Sequence, residues 1–194
     1  DPIKCCRPIS SEVVKENKTP PKRVMFDCET YQDEEHKHIP YMVSMIDHDE
    51  EVKSFTGHNC FDKFLFYLTE KHGGLSFSDS CKLELYAHNS TYDSSFMMKK
   101  LMNLQILEKD GKYVSVKGNF MNDNKKFIEV MIKDSYRLIP MKLSEIPSAC
   151  SFSEEAQKEV MYYDMYNYKT IDHISSMKRS ELNYYIFKFD KNSH

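Results

Sequence analysis

The sequence contains no apolar run of about 18 residues, which excludes a helical membrane span. It contains no Cys-x-x-Cys pair and its eight histidines are scattered, so the usual spacings of a structural zinc site are missing. It contains no internal repeat and no low-complexity tract, which sets aside repeat arrays and biased tails. It lacks a strong excess of either charge: 27 basic and 30 acidic residues give a formal net charge of −3. Composition alone therefore does not announce a nucleic-acid binder. It also lacks an initiating Met, and nothing near Asp1 looks like a signal peptide. We read it as a piece of something longer.

What is present suits a globular domain. With 194 residues, 40% hydrophobic and 13% aromatic, the chain has enough apolar material for one sizeable core. Of the six cysteines, Cys28, Cys60 and Cys150 sit beside apolar residues and are expected as buried free thiols of a reducing compartment, which places the chain inside the cell. Basic residues gather between Lys99 and Lys142, and the expectation for them is an ordinary solvated surface unless a site stands nearby. His36 and His38, either side of Lys37, read as a solvated loop.

Residues 1–22 are polar and carry Pro2, Pro8, Pro20 and Pro21, predicting a poorly packed lead-in to a domain over 23–194. "RVMFDC" (23–28) reads as a short buried strand, and "PYMVSMID" and "EEVKSFTG" as a hairpin across an acidic turn. Apolar residues at 61, 64, 65 and 68 predict a helix stopped by Gly73 and Gly74. "KLELYAHN" reads as another strand, and Phe96, Met97, Leu101 and Leu104 as the stripe of a helix opened by Asp93. A hairpin follows around Asp110 and Gly111, then a strand in "KKFIEVMIKDSY", a short helix around "MKLSEI" between Pro140 and Pro147, and a late helix around "SSMKRSELNYYIFKF". This order predicts an α/β domain, a mixed sheet with helices packed on it.

Asp27 and Glu29 stand one residue apart at the end of the first strand, so both carboxylates leave it on one face. Like charges that close repel and call for something positive. Asp93 follows a strand end and opens a helix, a position where sites gather in open α/β folds. Three converging carboxylates suit hard divalent cations, and a pair of such ions can activate water against a phosphodiester. Taken alone, however, Asp-x-Glu also describes two surface acids at a strand end.

"FDCET" (26–30) followed by "HNSTYDSSF" (88–96) resembles the first and second 3′–5′ exonuclease motifs of family B DNA polymerases. The run from Ile132 to Tyr166 is similar to the corresponding stretch of the protein-primed branch, so the resemblance covers about Arg23 to Tyr166. It implies an RNase H-like fold and the proofreading segment of a DNA-directed DNA polymerase acting in replication. It implies two Mg²⁺ or Mn²⁺ ions, with Asp27 bridging both, Glu29 holding the first and orienting the attacking water, and Asp93 holding the second. Thr30 and Asn89 match residues that hold a single-stranded 3′ end, and Tyr92 matches an aromatic packed on the terminal nucleotide. "DSYRL" resembles a further strand-binding motif, with Ser135 in place and Tyr136 where Leu is more usual. Lys158 fits a Lys-x-x-apolar motif whose lysine steadies phosphate charge at the scissile bond. The implied partners are the 3′ end of single-stranded DNA, primer-template and a terminal (priming) protein, with no membrane.

The family's third motif is Tyr-x-x-x-Asp on a late helix. Tyr168 and Asp172 have that spacing but follow "KEVMYYDMY" too soon, while Tyr184 meets Lys188 and Tyr185 meets Phe189. The sequence thus supplies three of the family's four acidic ligands. Two other readings stay open: a relic that binds single-stranded DNA or a priming protein without cutting, and a free-standing RNase H-like nuclease.

Overall fold

The computed structural model describes residues 21–76, 81–151, 166–178 and 180–181. The expected lead-in up to residue 20, Lys158, Tyr184 and Tyr185 lie outside the described residues. The chain runs β1 (Lys22–Gln32), β2 (His38–Asp47), β3 (Val52–Thr56), α1 (Cys60–His72), β4 (Lys82–Ala87), α2 (Thr91–Met98), β5 (Met102–Lys109), β6 (Lys112–Met121), β7 (Phe127–Asp134), a 3-10 turn at Ser135–Arg137, α3 (Ile146–Ala149) and α4 (Ile171–Ser176). The seven strands form one sheet in the order β3-β2-β1-β4-β7-β6-β5. β1, β4 and β7 are parallel neighbours, and the remaining pairings are antiparallel. This is the mixed sheet the sequence predicts, and an α/β, RNase H-like fold. No helix among the described residues is long and apolar enough to cross a membrane.

The first strand shows why the sheet has an inside. Val24, Phe26 and Cys28 are buried while Met25 and Asp27 between them are exposed, the alternation of a half-covered strand. The buried set meets α1, whose Phe61, Phe64, Leu65 and Leu68 recur at helical spacing and are fully or almost fully enclosed. Phe64 lies at the centre, its ring 5.7 Å from Phe26 and 5.9 Å from Phe55. Gly73 ends the helix where a Cβ would stand 2.4 Å from the Thr69 carbonyl oxygen, so no larger residue fits. At the β5–β6 turn Asp110 and Gly111 both take positive φ, 55° and 70°, as a two-residue hairpin requires.

Three expectations are corrected. The helix opened near Asp93 stops at Met98 rather than reaching Leu104. Leu101 drops into the core beside Gly118, and the chain then continues as edge strand β5, because "MNLQILEK" gains a hydrogen-bonded ladder with β6. The short helix between the prolines lies later than "MKLSEI", at Ile146–Ala149, with a proline in its first turn. Cys28 and Cys60 are buried free thiols, but Cys150 is exposed, since it follows a one-turn helix that buries nothing. Between Lys99 and Lys142 several of the cations pair with acids, Lys100 with Asp62, Lys117 with Glu129, Lys126 with Glu70 and Lys133 with Glu84, as on an ordinary solvated surface.

Phe64→Ala is expected to destabilise the domain by about 3–5 kcal/mol, the cost of emptying an enclosed aromatic site. Urea unfolding should report this as a fall in midpoint at unchanged slope.

Candidate active site

β1 is longer than its parallel neighbour. The β1–β4 pairing runs from Lys22 opposite Leu83 to Met25 opposite Tyr86, and β4 ends at Ala87. Beyond that point the side of β1 facing β4 loses its ladder, and its backbone donors need other partners. The chain leaving β4 turns through His88, Asn89 and Ser90 into α2, which brings Asp93 to the gap. The Asp93 carboxylate accepts the Cys28 backbone N–H at 3.2 Å. Cys28 stands between Asp27 and Glu29 in the chain, so Asp93 meets the backbone between them, and the charge of Asp27 reaches it.

Asp93 is buried, at 5% exposure. Burial pushes its carboxyl above the usual range and the charge of Asp27 adds to the shift, while hydrogen bonds from Cys28 offset part of it. Burial and Asp93 together push the Cys28 thiol far up, so it stays protonated and acts as a donor. Glu29 also reaches outward: after burial its charge raises the Tyr166 phenol, and on Tyr92 it adds a little to the larger effects of burial, Cys28 and Asp93. The rim is thus an acidic spot with low solvation, which favours a cation.

A turn clamps this arrangement. Asn89 takes φ 59°, a left-handed conformation in which Asn is among the tolerated residues. Its N–H donates at 2.8 Å to Asp134 Oδ1, which also accepts from the Tyr136 N–H at 3.0 Å. Asp134 is the last residue of β7 and is 4% exposed. The Ser135 hydroxyl lies 3.2 Å from the Ala87 carbonyl and 3.1 Å from His88 Nδ1, and the Tyr136 ring stands edge-on to His88 at 5.4 Å. Ser135 and Tyr136 therefore sit behind the β4–α2 turn, at the end where the site is built.

On the other side of that turn opens a cleft of about 620 Å³ lined by Cys28, Glu29, Thr30, Gln32, His38, Tyr92, Tyr166 and Asn167. Tyr92 is 41% exposed, its ring edge-on to Phe96 at 5.1 Å. Its hydroxyl lies 2.7 Å from Thr30 Oγ1 and 2.7 Å from His38 Nδ1. Thr30 and Tyr92 were predicted together; His38 was missed, taken for loop because one His in a charged stretch has no periodic signature. Asp27, on the other face of β1 from the core, lines a second, more apolar cavity of about 780 Å³ with Met25, Ile46, His88, Ser135 and Leu138. Asp172 lies near His58, 3.8 Å away, and its charge reaches Tyr31.

The tightest set of metal-type ligands lies elsewhere. Among the described residues, Asp47, His48 and His72 offer ligand atoms within 4.8 Å of one another, a closer grouping than the 27/29/93 trio. Asp47 pairs with Val24, so this group is at the opposite end of β1. Lysines already hold it: Lys71 Nζ binds Asp47, Asp49 and Glu51, and Lys22 Nζ sits 3.2 Å from His72 Nδ1. A metal-bound histidine turns its second nitrogen to an acceptor, not to an ammonium. This is an ion-pair network, and a metal would have to displace two cations to enter.

No protein-family model matches the chain, and no curated protein matches it. Solved structures do. The chain is similar to phi29 DNA polymerase complexed with primer-template DNA and incoming nucleotides, with 16% identity and a TM-score of 0.56 over 86% of this chain and 28% of that one. Phi29 DNA polymerase complexed with single-stranded DNA matches at 17% identity and a TM-score of 0.55, over 74% of this chain and 26% of the other. The binary primer-template complex gives 17% and 0.54 over the same shares. The likeness is one of fold. The chain spans about a quarter of the length of the polymerase it resembles.

The lysine network generates a prediction. His72 is 7% exposed, and burial with Lys22 beside it pulls its pKa from 6.5 down to about 4. The unfolded chain then binds this proton more readily than the folded one, so stability present above pH 6.5 is lost as pH falls towards 4. Thermal unfolding of His72→Gln should show a shallower decline than the parent across that window; parallel curves would remove His72 from the account.

Proposed function

We propose that this chain is the 3′–5′ exonuclease segment of a family B DNA polymerase of the protein-primed type, removing 3′-terminal nucleotides from single-stranded DNA. The observation that carries the reading is the Asp93 carboxylate hydrogen-bonded to the backbone between Asp27 and Glu29. Sequence resemblance names these three acids, and the hydrogen bond from the Cys28 N–H to Asp93, 65 positions away, supports reading them together.

The donor set is all carboxylate, which fits Mg²⁺ or Mn²⁺. Asp27, Glu29 and Asp93 would hold the ions, whose chemistry is to generate a hydroxide-like nucleophile and to steady the leaving 3′ oxygen. The chain's own residues place the strand. Tyr92 presents an exposed ring, braced from below by Phe96, on which a terminal base can stack regardless of its identity. Thr30 sets a hydroxyl beside it, and Asn89 is assigned a contact with the strand end. Ser135 and Tyr136 are assigned to the strand behind its terminal nucleotide, and Lys158 to the scissile phosphate. Glu29 orients the water on the cleft side. Melted 3′ ends are the preferred substrate, since the terminal nucleotide must leave its complement to reach Tyr92. The parent protein would use primer-template and a terminal protein as partners.

The direct test is incubation of the chain with 5′-labelled single-stranded DNA and Mg²⁺ or Mn²⁺. The expected product ladder shortens one nucleotide at a time from the 3′ end, and falls by at least ~100-fold in Asp27→Ala/Glu29→Ala, the loss expected when metal ligands go. Binding without shortening would instead favour a relic, and internal nicking a different nuclease class.

A second measurement needs no turnover. Because ionised Asp93 is held above its usual pKa range, its charge costs the fold stability at neutral pH. Asp93→Asn should therefore raise Tm in chelator. The same variant should lose the Tm gain that millimolar Mn²⁺ gives the parent. An undiminished response to Mn²⁺ would exclude Asp93 as a ligand.

A further inference from the structure

The missed histidine has a directional role. Gln32 Nε2 lies 3.2 Å from His38 Nε2. With the Gln32 amide nitrogen donating there, His38 Nε2 accepts and an uncharged ring carries its proton on Nδ1. Nδ1–H then donates to the Tyr92 oxygen at 2.7 Å, with Thr30 Oγ1 3.2 Å away. With its oxygen accepting from His38, Tyr92 keeps its own proton, which is free to donate to Thr30 Oγ1 at 2.7 Å. In that direction the hydroxyl hydrogen of Thr30 is left over, in the wall of the cleft beside Glu29.

We infer that Gln32 and His38 are positioning residues: they set a one-way relay, Gln32 to His38 to Tyr92 to Thr30, that makes Thr30 a committed donor to an oxygen of the bound DNA end. The inference rests on the proposed reading of the cleft as a DNA 3′-end site, and adds to it which partner Thr30 selects, an acceptor such as a phosphate or sugar oxygen. Donors in series polarise one another, so each bond strengthens the next. The relay also holds the Tyr92 ring still: its hydroxyl is gripped at two points and its face is edge-on to both Phe96 and His38.

Reversing one member should reverse all. In Gln32→Glu a carboxylate faces His38 Nε2, the ring proton moves to Nε2, Nδ1 accepts from Tyr92, and Tyr92 accepts from Thr30. Thr30 then has no proton for the ligand.

The experiment uses the whole chain in two arms. Long-range ¹⁵N–¹H NMR of the imidazoles, without DNA, should show His38 as the Nδ1–H tautomer in the parent and as Nε2–H in Gln32→Glu. Fluorescence anisotropy with labelled oligothymidylate should show Gln32→Glu weakening binding about tenfold, the scale of one hydrogen bond to a charged group. The added charge is removed from the comparison by repeating the change in Thr30→Val, where no terminal donor exists; there the loss should be under about twofold. His38→Asn, whose amide can still donate to Tyr92, should bind better than His38→Ala. An Nε2–H tautomer in the parent, or equal losses with and without the Thr30 hydroxyl, overturns the relay. If the tautomers are as expected but the parent binds no oligothymidylate, the DNA-end reading fails and the ligand half of this inference falls with it.

Discussion

The site depends on one unmet hydrogen bond. Because β4 ends before β1 does, the Cys28 N–H faces a gap in the sheet, and a buried backbone donor without a partner costs about 1–3 kcal/mol. Asp93 satisfies it from the first turn of α2, and this requirement fixes much else. The connection from Ala87 to Asp93 is short, so Asn89 must turn left-handed, and Asp134 must sit at the end of β7 to take its N–H. Once Asp93 points at β1, Tyr92 beside it can reach Thr30. One backbone donor thus sets the placement of a metal-type acid, a ring and a hydroxyl.

The contrast with other acids shows what this arrangement costs. Asp47 is as buried as Asp93, but Lys71 pairs with it and turn N–H groups of Asp49 and Glu51 donate to it, so its carboxyl is held below the usual range. Glu70 and Glu84 likewise have lysine partners and are lowered. Asp93 has a backbone N–H and a thiol, with Asp27 near, and is raised. Lysine answers Asp47, Glu70 and Glu84, whereas Asp93 and Asp134 accept from neutral donors, and of these two it is Asp93 that feels the charge of Asp27.

Legibility in the sequence depended on how local each pattern was. The order of strands and helices along the chain could be anticipated because alternation and helical stripes are local: Val24/Phe26/Cys28 and Phe61/Phe64/Leu65/Leu68 each describe their own face. The end of α2 could not, because "KKLMNL" satisfies a helical stripe and the choice of a β ladder is made by β6, ten residues on. Asp27, Glu29, Thr30, Tyr92 and Asp93 were legible only through resemblance to two motifs; their spacing alone fits surface acids equally well. Asp134 and His38 carried no such label. Both act by meeting partners 45 and 54 positions away, which no local pattern encodes.

His38 reaches the site beside an irregularity in the β1–β2 pairing. The register shifts between Glu29 and Thr30, where the β2 partners step from Met42 to Pro40 and pass over Tyr41, a bulge with its extra residue on β2. Before it, the even residues 24, 26 and 28 are buried; after it, Tyr31 is buried instead. Strict alternation would have sent Thr30 into the core behind Cys28. Beside the bulge two consecutive residues, Glu29 and Thr30, line the cleft, and Gln32 stands opposite His38 at the start of β2. A regular strand could offer the cleft an acid or a hydroxyl at adjacent positions, but not both. The break in alternation lets a ligand-type carboxylate and a strand-holding donor stand side by side, and no sequence pattern short of the paired strand would have revealed it.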